Sequence, residues 1–169
     1  MKKTLYTFLF VFCFAVVSVA QTTNYQVYSV FVMSIARYSS WPASNGDFKI
    51  TVIGKSKVYD ELLRVSQTKD VNGKKIVVTL AEDISQIGDC NIVYISDNKS
   101  STLYEIAKKF EGKPVMIITE RESLYKKGAS FSFVVIEESK LRFDINKTDL
   151  EKKQIKISQN LTTLANLVI

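Results

Sequence analysis

Few residues of this 169-residue chain could carry out chemistry, because the sequence contains no histidine. That composition excludes Ser-His-Asp and Cys-His nucleophilic catalysis, a histidine general base and histidine-ligated metals. Of the two cysteines, Cys90 has neither a histidine partner nor a second cysteine at CxxC spacing. We expect Cys90 to be a small buried hydrophobic residue, with intermolecular disulfide pairing as the alternative.

Two glycine-containing segments resemble catalytic loops, but each lacks a required residue. Gly54-Lys55-Ser56 resembles the end of a phosphate-binding loop, yet Lys49 stands where the first glycine is needed. Gly128-Ala129-Ser130 has Ser132 where a nucleophile elbow needs glycine. We interpret both segments as turns.

Acidic pairs at predicted strand ends are the remaining candidates for catalysis. Glu120 with Glu122, and Glu137 with Glu138, are typical of solvated charges, and nothing in the sequence places two carboxylates across a cleft. We therefore predict no catalytic residues, no metal site and no cofactor, and we expect that the protein is not an enzyme.

The N-terminus has the three parts of a secretory signal. Lys2 and Lys3 precede an apolar run from Leu5 to Val17, and Ser18-Val19-Ala20 supplies small residues before Gln21. We predict a signal peptide at 1–20 and one domain at 21–169, exported to the periplasm as a soluble protein. The alternative, that this segment is retained as a membrane anchor, is disfavoured because the apolar run is shorter than the roughly 20 residues that span a bilayer. No second apolar run approaches that length, so we expect no membrane span after cleavage.

The net charge of +6 does not indicate a nucleic-acid partner. Basic residues occur as short pairs beside apolar segments, such as Lys74/Lys75 and Lys126/Lys127, rather than as one stripe. We interpret them as solvated surface.

Strand-like and helix-like patterns alternate through the middle of the chain. Helical spacing occurs at Lys57–Val65 and Ser101–Phe110. Five apolar runs are typical of strands: Phe48–Ile53, Ile76–Leu80, Asn91–Ile95, Val115–Thr119 and Phe131–Ile136. The alternation predicts an α/β fold, with a mostly parallel central sheet in a single domain and helices on both faces.

The pattern changes towards the C-terminus. From Lys140 to Asn146 apolar and polar residues alternate strictly, which predicts an exposed polar face on an antiparallel strand. A hairpin turning around residues 137–139 would place this strand at one edge of the sheet. A final helix is predicted from the stripe Ile157, Leu161, Leu164 and Val168.

The first helix of the mature chain, predicted at Asn24–Ser40, carries Val30 and Met33 on its otherwise polar half. Ordinary core packing with a few exposed apolar residues is one interpretation. The other is a helix that also contacts a second subunit or partner. Trp41-Pro42 ends the helix, because a residue before proline avoids helical conformation.

Six segments together resemble the YfiR family of small exported proteins. They are Ser34–Pro42, Phe48–Gly54, Cys90–Ile95, Gly128, Lys140–Asn146 and Leu161–Ala165. The sequence departs from the family near Gly128, where Ala129 and Ser132 replace a second glycine and an asparagine, and it lacks the disulfides of some members.

The resemblance implies a non-enzymatic periplasmic repressor that binds a membrane-bound signalling protein, such as a diguanylate cyclase or a histidine kinase, and that tends to form a homodimer. Such a protein acts through its difference in affinity for two receptor states. The alternative is a stand-alone periplasmic binder of a small molecule or envelope polymer. It would use the carboxyl ends of the parallel strands near Gly54, Ser96 and Thr119.

We predict partner or dimer contacts at Val30, Met33, Arg37 and Trp41, and a polar or ligand-contacting row at Arg142 and Asn146. Structural alternatives stay open for three of these residues. Trp41 would fill a gap in the core, Arg142 would pair with Asp144 or with a neighbouring helix, and Asn146 would cap the following helix.

Overall fold

Among residues 22–42, 46–137 and 140–169, which the computed structural model describes, eight strands form the central sheet. These strands are β2 (Phe48–Ile53), β3 (Asp70–Val71), β4 (Lys74–Ala81), β5 (Ile92–Ile95), β6 (Met116–Thr119), β7 (Phe131–Ile136), β8 (Lys140–Ile145) and β10 (Leu167–Val168). Their spatial order is β10-β8-β7-β6-β5-β2-β4-β3. Apart from this sheet, β1 (Ser39–Ser40) pairs antiparallel with β9 (Lys156–Ile157).

The predicted parallel centre of the sheet is confirmed. β5 lies between β2 and β6 and pairs in parallel with both. All four residues of β5 and all four of β6 are buried, as their continuous apolar sequences predict for strands covered on both faces. This centre places the carboxyl ends of three neighbouring strands at one edge of the sheet.

Helices cover both faces of the sheet, as predicted. They are α1 (Thr22–Arg37), α2 (Val58–Ser66), α3 (Leu103–Lys109), α4 (Lys147–Lys152) and α5 (Gln159–Leu164). Val32 of α1 and Leu62 of α2 belong to the core cluster on one face of the sheet. Leu103 and Ile106 of α3 belong to the cluster on the other face.

The antiparallel hairpin is also confirmed, since β7 and β8 pair from Phe131 opposite Ile145 to Ile136 opposite Lys140. Residues 138 and 139 of the predicted turn lie outside the described residues, as does the predicted signal peptide at 1–20. Beyond the hairpin, the short strand β10 pairs in parallel with β8 and forms the outermost strand.

The prediction of one long final helix is wrong. Helix α5 covers only the middle of the predicted segment, and Leu161 is buried there while Leu164 is exposed. Ile157 lies in β9 opposite Ser39, and Val168 lies in β10 opposite Ile145. Pairing with distant strands satisfies the backbone groups of these flanking residues and replaces the helix.

The predicted exposed polar face of β8 is wrong at Asp144, which is buried. β10 lies beside β8, and the Asn166 side chain donates from Nδ2 to Asp144 Oδ1 at 2.8 Å. The strict alternation in β8 therefore reflects one face in the core and a second face that Asn166, just before β10, covers at Asp144.

Candidate functional site

Helix α1 separates the predicted contact residues Val30 and Met33. Val30 is 60% exposed, whereas Met33 is 6% exposed and shares a core cluster with Leu62 of α2. The prediction that Met33 lies on an exposed face is therefore wrong. Because α1 packs against α2 as well as the sheet, it buries more than its apolar half.

Arg37 is the last residue of α1 and is exposed. Its Nε donates to the backbone oxygen of Asp70 at 3.3 Å, so the guanidinium lies beside strand β3. The helix ends here rather than at Ser40, because Ser39 and Ser40 pair with β9. Arg37 and Val30 are the two predicted contact residues that the structure leaves accessible on α1.

Trp41 follows α1 and is half-buried. Its ring packs edge-on against Phe48, with centroids 4.9 Å apart, in agreement with the alternative that Trp41 fills the core. The buried indole Nε1 has no hydrogen-bond partner among the described residues. A cavity of about 310 Å³ adjoins this ring and extends to Val71 and Asn91.

The structure does not bring Arg142 and Asn146 together as an open polar row. Arg142 is half-buried on β8, opposite Val134 of β7, and its expected partner Asp144 accepts from Asn166 instead. Asn146 is the N-cap of α4: its Oδ1 accepts from the backbone N–H of Asp149 at 2.8 Å. The capping interpretation of Asn146 is thus confirmed.

Two of the three residues expected to line a crevice at the carboxyl ends of the strands have buried side chains. Ser96 is fully buried and donates from Oγ to the backbone oxygen of Ile53 at 2.8 Å. Thr119 is equally buried, and its Oγ1 donates to Ser132 Oγ at 3.0 Å. Neither side chain faces an open crevice, whereas Gly54 lines a cavity of about 440 Å³ together with Leu80, Ala81 and Lys99.

Gly54 is closely packed against the segment that follows β5. Its φ of +90° is left-handed, and a Cβ at this position would lie 2.5 Å from both Asn98 Oδ1 and Lys99 Cγ. These two residues belong to the 3₁₀ segment Asp97–Thr102, which therefore covers the end of β2. Glycine is required here for both reasons.

Glu120 is the centre of a polar cluster at the same edge. Its Oε1 accepts from Tyr94 Oη at 2.9 Å and from Ser56 Oγ, and its Oε2 accepts from the backbone N–H of Asp97 at 2.7 Å. The donors come from β5, from the loop between β2 and α2, and from the segment after β5. One carboxylate thus joins three parts of the sheet edge.

Burial and this carboxylate raise the pKa values of the neighbouring tyrosines. The pKa of Tyr94 lies well above its ordinary value, first because the side chain is buried and then because Glu120 disfavours the phenolate. The pKa of Tyr28 on α1 is also raised, mainly by burial and then by Glu120. Both hydroxyl groups therefore remain neutral at physiological pH.

Sequence reasoning missed this cluster by treating Glu120 as a solvated strand-end charge. The usable signal was Tyr94 within a strand predicted to be buried on both faces, because a buried phenol needs a hydrogen-bond partner. Parallel strands bring their carboxyl ends together, and Glu120 directly follows the neighbouring strand. Its role here is to stabilise the edge.

Cys90 is buried, as predicted, and forms no disulfide with another described residue. Burial raises the pKa of its thiol to about 11, so it is a poor nucleophile near neutral pH. Within the described ranges, no group of three or more acidic or cysteine side chains is placed to hold a metal ion.

The comparison with known families extends over nearly all of the described chain. The profile of the family described as YfiR/HmsC-like matches residues 25–166, from α1 to the residue before β10. The chain belongs to the YfiR/HmsC-like family. YfiR/HmsC-like proteins are periplasmic regulators of cyclic di-GMP signalling, and they are regulatory rather than catalytic. Across the part of the chain that the structure describes, no helix combines the length and apolar character needed to cross a membrane.

Proposed function

We propose that this YfiR/HmsC-like protein represses a membrane-bound diguanylate cyclase by binding the part of the cyclase that lies outside the cytoplasm. The observation that carries the proposal is the family match over residues 25–166. Repression requires tighter binding to the inactive cyclase than to the active one. The ratio of these two affinities limits how far the protein can shift the cyclase towards its inactive state.

Export is part of the proposal. The charged start, apolar run and small residues of positions 1–20 support removal of a signal peptide during export. The mature protein then meets the extracytoplasmic part of its partner, while the catalytic domain of the cyclase lies on the other side of the membrane.

The surface that we assign to the partner is the exposed side of α1, marked by Val30 and Arg37. Val30 places an isopropyl group in solvent, and Arg37 supplies a cation whose Nε is held by Asp70 O. Tyr38, which follows the helix, is also exposed and adds an aromatic ring. Apolar, aromatic and arginine side chains are the types enriched at protein interfaces.

The proposal extends to a homodimer, which the family resemblance implies and for which the same α1 surface is the predicted contact. Sedimentation velocity of the wild type and of Val30→Asp tests this contact. We expect a dimer for the wild type and a shift towards monomer for the variant. An unchanged dimer in the variant would remove α1 from that interface.

The function is tested in cells that lack the protein and are complemented with variants. Val30→Asp places a charge on the α1 surface, and Val135→Asp is the matched control, because Val135 on β7 is 55% exposed. We expect deletion to raise cyclic di-GMP, and the wild type and Val135→Asp to lower it again. Val30→Asp, present at the same level, should fail to do so. Repression by Val30→Asp equal to that of the wild type would contradict the assigned surface.

A further inference from the structure

A cavity of about 410 Å³ lies between α3, the 3₁₀ turn Leu124–Lys127 and α4. It is separate from the α1 surface and from the Glu120 cluster. Its charged lining residues are Lys108, Lys127, Lys152, Lys153, Glu111 and Asp149. Four lysines against two carboxylates leave two positive charges on its walls.

Lys153 is the buried lysine of this cavity. It is 5% exposed, and its Nζ donates to Asp149 Oδ2 at 2.9 Å. An ammonium group carries three donors, and the described residues supply no second acceptor for this one. Lys109 shows the usual arrangement, because its Nζ donates to two backbone oxygens, of Ile84 at 2.8 Å and of Ile87 at 2.6 Å.

Asp149 gives Lys153 a single acceptor, and that acceptor is shared. Its Oδ2 also accepts from Ser130 Oγ at 2.6 Å, so one oxygen serves both donors. Burial lowers the pKa of Lys153, and the attraction of Asp149 offsets this only in part. An anion in the cavity would supply a further acceptor for Lys153 and balance the excess of lysines over carboxylates in the lining.

The lysines at the rim add to this positive field. Lys108, Lys127 and Lys152 are exposed, and none of them forms an ion pair with another described residue. By contrast, Lys147 on the same helix as Lys152 pairs with Glu151 at 3.7 Å. The cationic groups around the cavity are therefore available to a ligand.

We propose that this cavity binds the phosphate group of a small molecule, with Lys153 as the buried anchor and Lys127 and Lys152 at the rim. Lysine binds phosphate as a point charge and places no demand on planar geometry, which suits three lysines from two elements. The volume of about 410 Å³ holds a phosphate together with part of the molecule that carries it. This site is independent of the proposed repressor surface, since α1 does not line it.

Isothermal titration calorimetry with inorganic pyrophosphate, at low ionic strength and in a phosphate-free buffer, tests the site. The double variant Lys127→Gln/Lys152→Gln removes two exposed rim charges, and we expect it to weaken binding about tenfold or more. Lys147→Gln/Lys156→Gln is the matched control. It removes two exposed lysines outside the cavity and should change affinity by no more than about twofold.

Lys153→Met tests the anchor, with near-ultraviolet circular dichroism as the check of folding. If this variant does not fold, the rim pair decides the outcome. Equal weakening of binding by the rim pair and by the control pair would overturn the proposal.

Sedimentation with phosphatidylglycerol vesicles distinguishes the source of the phosphate. If the wild type sediments with the vesicles and the rim variant does not, the site is supported with a lipid headgroup as its ligand. Binding of pyrophosphate without retention supports it with a soluble phosphate. If the wild type neither binds pyrophosphate nor sediments with the vesicles, the proposal is overturned.

Discussion

The hydrogen bond between Tyr94 and Glu120 gives a quantitative test of the sheet edge. Tyr94 is fully buried, and its hydroxyl donates to a carboxylate at 2.9 Å. A hydrogen bond to a charged group contributes about 1.5–3 kcal/mol to stability. Glu120 retains Ser56 and the Asp97 N–H as donors after Tyr94→Phe, so we expect the lower limit of about 1.5 kcal/mol.

Urea unfolding measures this loss, and Trp41 is the reporter because the chain contains one tryptophan. For a domain of this size, about 1.5 kcal/mol corresponds to a decrease in Tm of about 3–6 °C. The control is Tyr125→Phe, since Tyr125 is also buried but its hydroxyl bonds to no other described residue. Equal losses for the two variants would refute the role assigned to Glu120.

Four further predictions concern stability and reactivity. Gly54→Ala should cost about 2 kcal/mol or more by chemical denaturation, because alanine is strained at this φ and its Cβ would overlap Asn98. Asn146→Ala should cost about 1–2 kcal/mol in the same assay, since it removes the α4 cap; a neutral result would contradict the capping role. Cys90 should react with iodoacetamide at pH 8 at least about a hundredfold more slowly in the folded protein than in urea, as followed by mass spectrometry. Burial raises the pKa of Tyr94 above its ordinary 10.0, so its contribution to stability is full below pH 10 and is lost as pH rises beyond it; alkaline titration of Tm should show a smaller decrease in Tyr94→Phe.

Much of the fold could be predicted from local sequence. The runs that become β5 and β6 are apolar at every position, which identifies strands covered on both faces, and the structure buries all of them. The C-terminal segment could not be predicted in this way. Ile157 and Val168 fit a helical stripe, but in the structure they are strand residues. Ile157 pairs with Ser39 and Val168 pairs with Ile145, and both partners are distant in sequence.

The site was harder to predict, because burial of a side chain depends on what packs over it. Met33 lies on the polar half of a helical wheel, yet it is buried in a core cluster that also contains Leu62 of α2. Glu120 receives donors from Ser56 and Tyr94, which no spacing in the sequence connects. Asn146 was predictable as a cap, since capping depends on residues three positions away.

The most direct measurement of the central claim is cyclase activity in detergent-solubilised membranes from cells that lack the protein. Purified mature protein is added at increasing concentration, and synthesis of cyclic di-GMP from GTP is followed. We predict a saturable fall in the rate with the wild type and with Val135→Asp, and a fall only at much higher concentration with Val30→Asp. A rate that is unchanged at saturating wild-type protein would contradict the proposed repression.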